Sequence, residues 1–295
     1  MRNTVVYLGL SLLFLFTGGC GSELPLTPER YLGPDTLFDQ IEANVAANPA
    51  WSKVAEIDHS RLGSEAGSAM PPARVLMFTD AALSAALLKL NPLVGVDLPL
   101  RVLAYESEAD GQSKVIYNSY DYIEARYGLP EQPALRKEYE DAMAAAVRGI
   151  PAQNIAAFEK DRTETDGITT INSPYNFEET MERVQRAIAS QDDTVSFGIV
   201  DFQAEAAEQG VELRSSSLIL FGGPAPGAKA MSKAPTLGLD AFCQKFLVWE
   251  DEEGKIHLSF NDLLALGERQ GVAKSVPLRV INFRLSSVFG GALEP

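Results

Sequence analysis

The chain repeats itself at a spacing of 143 residues, and that constrains its fold more than any other feature. Phe78 and Phe221, Pro92 and Pro235, Gly95 and Gly238, Asp97 and Asp240, Gly111 and Gly254, and Asn118 and Asn261 all stand this far apart. A fixed period of this size means that each copy is a folding unit able to build a core of its own. A chain of 295 residues suits two such domains.

The two copies predict each other's elements. Leu37, Ile41 and Val45 share one helical face, and Phe177, Met181, Val184 and Ile188 make the same stripe more clearly. Asn176 with Glu179 three residues on forms a capping-box pattern for the second stripe. Strands follow over residues 51–59 and 195–199, then short irregular pieces ending at Gly67 and Gly210. The apolar strands VLMF and LILF come next, after which the copies part. The first continues as a helical turn (FTDAALSAALLKL), the second as a glycine- and proline-rich turn (FGGPAPGA). Each then has a Gly-x-Asp turn and a hairpin with an acidic glycine tip, RVLAYE with KVIY and KFLVWE with IHLSF. Helices from Ser119 and Asp262 run to C-capping glycines at Gly128 and Gly271. Leu135 to Val147 reads as a further helix, and its counterpart keeps Leu278, Ile281, Leu285 and Val288 on one face. Each unit is expected to be an α+β domain, an antiparallel sheet covered on one side by helices.

The N-terminus reads as a targeting segment. Arg2 precedes an apolar run from Val5 to Phe16 and then Thr17-Gly18-Gly19-Cys20, too short to span a bilayer comfortably. It resembles a bacterial lipoprotein signal, which implies palmitate-type lipidation of Cys20, although Thr17 stands where Leu or Val is usual. The expected boundaries are a signal peptide at 1–19, a tether at 20–34, a first repeat domain at 35–148, a linker at 149–166 and a second repeat domain at 167–295. The expected location is the bacterial cell envelope, on the periplasmic or outer-surface face. A net charge of −15 argues against nucleic acid as a partner and against adhesion to anionic lipid by basic patches. Lipidation of Cys20 leaves Cys243 without an intramolecular partner, and its apolar setting predicts a buried thiol.

Few residues carry chemistry. His59, beside Asp58 at a strand end, is a candidate acid/base group, with Asp97 or Asp240 assisting; the ordinary role of those aspartates is to cap the next segment. His257, between apolar neighbours, reads as a sheet-face residue. Two histidines and scattered carboxylates give no metal-ligand spacing, and no cofactor motif is present. FGGPAPGAK lacks the Gly-Lys-Ser/Thr of a phosphate-binding loop. As a pocket rim it offers Phe221, Gly222, Gly223 and Pro224, with Phe78, Asn118 and Asn261 as further candidate ligand-binding residues. Asn118 and Asn261, with Arg126 and Arg269, also suit the ends of strand and helix.

The order of FGGP, GLD, LVWEDEEGK and SFND in the second half, and of IDH, GVDLP and YN in the first, resembles the bacterial family known as domain of unknown function 302. The resemblance implies a two-layer unit similar to the TATA-binding-protein fold, present twice, and no established activity. Phe202 replaces the histidine of IDH in the second copy, and Phe78-Thr79-Asp80-Ala81 replaces FGGP in the first. Neither half holds both features, so a composite site across the halves and the loss of one function both remain open. The leading expectation is non-catalytic binding of a small or apolar ligand or an envelope protein. The alternatives are an enzyme using His59 and a structural pseudo-dimer.

Overall fold

A computed structural model describes residues 26–158, 167–272 and 275–294. The N-terminal run and Cys20 lie outside the described residues. The first unit opens with α1 (Pro28–Ala46), whose Phe38, Ile41 and Val45 are buried. Pro28 sits at the first helical position, where a missing N–H costs nothing, so the helix starts within the stretch expected to be tether. Then come β1 (Trp51–Asp58), α2 (His59–Glu65), β2 (Ala73–Asp80), α3 (Ala81–Leu90), β3 (Leu100–Glu106), β4 (Ser113–Asn118), α4 (Tyr120–Tyr127) and α5 (Pro133–Ala146). The segment 149–166, expected as linker, contributes the short strand β5 (Ile155–Phe158). The second unit adds β6 (Ile168–Ser173), α6 (Phe177–Ala189), β7 (Val195–Asp201), α7 (Phe202–Glu208), β8 (Ser216–Gly222), α8 (Pro224–Met231), β9 (Gln244–Glu250), β10 (Ile256–Asn261), α9 (Leu263–Arg269) and α10 (Val276–Arg284).

The protein is α+β, with two five-stranded sheets ordered β1-β2-β3-β4-β5 and β6-β10-β9-β8-β7. The second sheet is antiparallel throughout; the first departs from that expectation at one edge, where β5 runs parallel to β4. Four strands of each sheet repeat faithfully, down to a bulge between Lys53 and Ala55 that recurs between Ser196 and Gly198. Every residue of β8, and of β3 as far as Tyr105, is buried. Strands buried on both faces need a second cover besides their own helices, and the other unit provides it. The turn Pro92–Val96 packs on β8, β9 and β10, and its counterpart Pro235–Gly238 packs on β2 and β3. Helices α2 and α8 likewise pack together, as do α3 and α7.

Local chemistry explains where the sequence reading missed. The "irregular" pieces are the two-turn helices α2 and α7, capped by Asp58 and Asp201 accepting from the backbone N–H groups of Arg61 (2.9 Å) and Ala204 (3.0 Å). FGGPAPGA is helical from Pro224 because both prolines fall in the first turn, where backbone N–H groups have no helical partner. After α10 the chain makes a π turn over Leu285–Phe289, which slips the inward face by one residue. Phe289, not Val288, is therefore buried, and it joins Phe221, Phe246 and Phe260 in an aromatic cluster with ring centroids 4.7–5.4 Å apart. The helix capped by Ser119 ends at Gly128, whose φ of +58° is open to glycine at little cost.

Candidate functional site

Both Gly-x-Asp turns place their aspartate at the boundary between the units, inside one buried polar network. Arg101, from β3, donates through Nη2 to Asp97 (2.8 Å) and to Asp240 of the other unit (2.6 Å), and through Nε to the Leu239 carbonyl (2.7 Å). Arg126, near the end of α4, donates to Asp97 (2.7 Å) and across the boundary to the Asn261 side-chain oxygen (2.6 Å). Asn118 donates to Asp240 at 3.0 Å, and the Tyr127 hydroxyl donates to Asp97 at 2.9 Å. The Lys245 ammonium donates to the backbone carbonyls of Asp240 (2.7 Å) and Cys243 (3.2 Å), and the Arg269 guanidinium lies 3.5 Å from Asp240.

The electrostatics follow from the burial. Burial alone would push the Asp97 carboxyl up, but the Arg126 and Arg101 guanidiniums outweigh it and hold Asp97 well below the usual carboxylate range. Burial and the Arg101 charge bring Lys245 down to about 8, and burial brings Arg269 down to about 10. Asp97 is thus an ionised carboxylate whose oxygens are taken by two guanidiniums and a phenol. It bonds the units together, and it is not available to act as a base.

His59 lies elsewhere on the same boundary. It is the first residue of α2, 6% exposed, and donates from Nε2 to the Gly238 carbonyl of the other unit at 3.0 Å. A carbonyl only accepts, so the tautomer is assigned with the proton on Nε2. Burial pushes its pKa down to about 4, against the smaller upward pull of the Gly238 hydrogen bond and the Asp58 charge. The Asp58 carboxylate itself caps α2 and binds Ser60 and Arg61.

The crevice beside His59 does join features that the two copies hold separately. Ile57, His59 and Leu62 of the first unit face Gly222, Gly223, Pro224, Met231 and Cys243 of the second. The composite arrangement therefore exists, but it encloses about 20 Å³, room for about one water. Phe221 and Phe78 do not line it; Phe221 belongs to the aromatic cluster, and Phe78 is fully buried with its ring 4.9 Å from Trp51. Asn118 and Asn261 serve the polar network, and His257 is held in the sheet by Asn172 (2.9 Å), Asp251 (2.7 Å) and stacking on Trp249. Cys243 is buried, with its thiol pushed up by that burial. Among the described residues no group of three or more His, Cys, Asp or Glu side chains is placed to hold a metal ion.

Sequence reading missed Arg101 and Lys245 because the copies slip by one residue there. Gly95 to Glu106 is one residue shorter than Gly238 to Glu250, so the strand that follows Gly-x-Asp aligns at a spacing of 144 and pairs Arg101 with Lys245. It also missed a groove of about 980 Å³ between the units. Leu88 to Pro92 form one wall, and Glu212 to Ser216 with Trp249 to Glu253 form the other.

The family described as "Domain of unknown function DUF302" matches residues 28–150 and again 169–282. Two proteins named "Fluoride-specific ion channel FluC 1", from Brucella suis biovar 1 and Brucella abortus biovar 1, are 38% identical over 109 residues, or 37% of this chain. That segment is 42% and 40% of their lengths, so the chain spans less than half of these curated relatives. The crystal structure of an uncharacterized conserved DUF302 protein from Bacillus stearothermophilus aligns at 16% identity and a TM-score of 0.35, covering 43% of this chain and 95% of that one.

Proposed function

The chain belongs to the DUF302 family, whose domain it carries twice in tandem, and from that premise we propose that it is a lipid-anchored envelope protein that binds a ligand non-catalytically in the groove between its units. The observation that carries this reading is the contrast between the two concavities at the boundary. The crevice at His59 and Gly222-Gly223 encloses about 20 Å³, whereas the groove beside Trp249 offers about 980 Å³. A drug-sized or peptide ligand needs at least several hundred Å³. The lining carries five carboxylates, Glu212, Glu250, Asp251, Glu252 and Glu253, against two cations, Lys89 and Arg214, so a ligand with cationic groups and an apolar part to lie on Trp249 suits it. The acid/base candidates are meanwhile committed to joining the units, which favours binding over catalysis.

The setting at a membrane rests on the N-terminal signal and Cys20. Among the described residues no helix is long and apolar enough to cross a bilayer. Cys20→Ser should move the protein from the membrane to the soluble fraction of its host; a variant that stays bound would end the lipoprotein reading. Native mass spectrometry of the gently purified protein tests the groove. An added mass that is lost with Trp249→Ala supports it, and a bare mass together with full rescue of a deletion strain by Trp249→Ala would overturn it.

A further inference from the structure

The groove beside Trp249 contains a buried hydroxyl that bonds to nothing in its own fold. Leu247 of β9 faces the first unit, its Cδ1 lying 2.7 Å from where a Cβ on Gly95 would stand. Trp249, two residues on, shares that face, and so does Ser216, its register partner on β8. Ser216 lines the groove and is 6% exposed, and its Oγ makes no hydrogen bond among the described residues. Burying a hydroxyl without a partner is costly, and the duplication shows that the fold does not require one here. In the first unit the same register pair is Ala73 with Tyr105.

The acidic wall is uncommitted too. Asp251 is taken by His257 and by the backbone N–H groups of Glu253 and Lys255. The side chains of Glu212, Glu250, Glu252 and Glu253 make no hydrogen bond or ion pair among the described residues. The sister copy again differs: Glu106 ends β3 as Glu250 ends β9, but the Arg30 guanidinium binds it, with Nε 3.1 Å from Oε1. Lys89 and Arg214 can neutralise at most two of the four, which leaves negative charge over.

The rest of the lining narrows the ligand. Trp249 donates its N–H to Ser259 (3.0 Å) and stacks on His257, so it offers the groove apolar ring surface and no donor. Strands β8 and β9 are paired on both sides, so no strand edge is free to hydrogen-bond a peptide backbone. Ammonium groups joined by methylenes match acceptors set around an indole. Taking the groove as the binding site, on which this rests, we propose that its ligand is a linear aliphatic polyamine. One ammonium donates to Ser216 Oγ, the others pair with Glu212 and Glu250, and the methylene chain lies on Trp249.

The test is calorimetric titration of the full chain with spermidine at about 0.15 M salt, where loose counterion binding to a chain of net charge −15 is screened. Saturable one-to-one binding is expected. Ser216→Ala, which installs the sister residue, should raise Kd about tenfold, the loss of one hydrogen bond to a charged group. It should leave Tm unchanged or higher, because it removes a hydroxyl that has no partner; a purely structural serine would lower Tm and leave Kd alone. Glu250→Gln should raise Kd about threefold, the size of an exposed ion pair. Absence of saturation overturns the proposal, as does a Kd that Ser216→Ala does not change. A tri-lysine peptide that binds where spermidine does not also overturns it, yet leaves the groove reading standing. That reading falls only on its own test, the mass carried by the purified protein and its dependence on Trp249.

Discussion

The His59 imidazole and the Gly238 carbonyl meet at 3.0 Å across the boundary between the units, and the second copy makes the reciprocal contact with Phe202 against Gly95. A Cβ on Gly238 would lie 2.8 Å from His59, and one on Gly95 would lie 3.3 Å from Phe202. Positions 59 and 202 are equivalent in the repeat, so the histidine that looks catalytic and the phenylalanine that replaces it do the same structural work. Each seats its helix on the Gly-x-Asp turn of the other unit. The two halves pack as a fused pseudo-dimer around these two glycines and the two aspartates that follow them.

Acid should destabilise the protein through His59. The unfolded chain takes up the imidazole proton near pH 6.5, whereas the folded protein holds the ring neutral down to about 4. The unfolded state therefore binds more protons across that window, and stability falls as the pH drops from 6.5 toward 4, by about 3 kcal/mol from this group. Urea titrations of the wild type and of His59→Phe, which restores the residue of the sister copy, should diverge below pH 6.5. Parallel pH profiles would refute the assignment.

Gly238→Ala should cost about 1–3 kcal/mol, because the new methyl meets a buried ring that has little room to move. The cost should shrink when His59→Ala is added, giving a coupling well above the few tenths seen for independent sites. A double-mutant cycle by chemical denaturation measures it, and strict additivity would mean that the contact carries no weight.

Arg101 neutralises a carboxylate from each unit. Arg101→Met should destabilise by about 3–5 kcal/mol, since it leaves Asp97 and Asp240 buried with fewer partners. Loss of a single unfolding transition, with one unit melting first, is the accompanying signature in calorimetry. A variant as stable as the wild type would show that the network is not what joins the units.

Cys243 is 2% exposed and its thiol is pushed up by burial, so the native protein should resist thiol reagents. Reaction at the rate of a free thiol in native buffer would contradict this, while rapid reaction in denaturant is expected.

Much of the architecture was legible in one sequence because the chain contains its own comparison. Period-2 and period-3.6 patterns that are ambiguous in one copy are settled by the other, which located the central strands, the hairpins, the capped helices and the duplication itself. Local chemistry was legible where it acts within a few residues, as with Ser119 and Gly128 at the two ends of α4. It failed where one motif has two uses, as in FGGPAPGA, whose prolines suit a first helical turn as well as a loop. The role of the polar residues was decided only by the tertiary structure. Asp97, Arg101, Asn118, Arg126 and Asp240 are scattered along the chain and gain meaning from partners up to 139 residues away. No local pattern encodes such a pairing, because the cost of burying a charge, and the partner that offsets it, exist only once the two units have closed on each other.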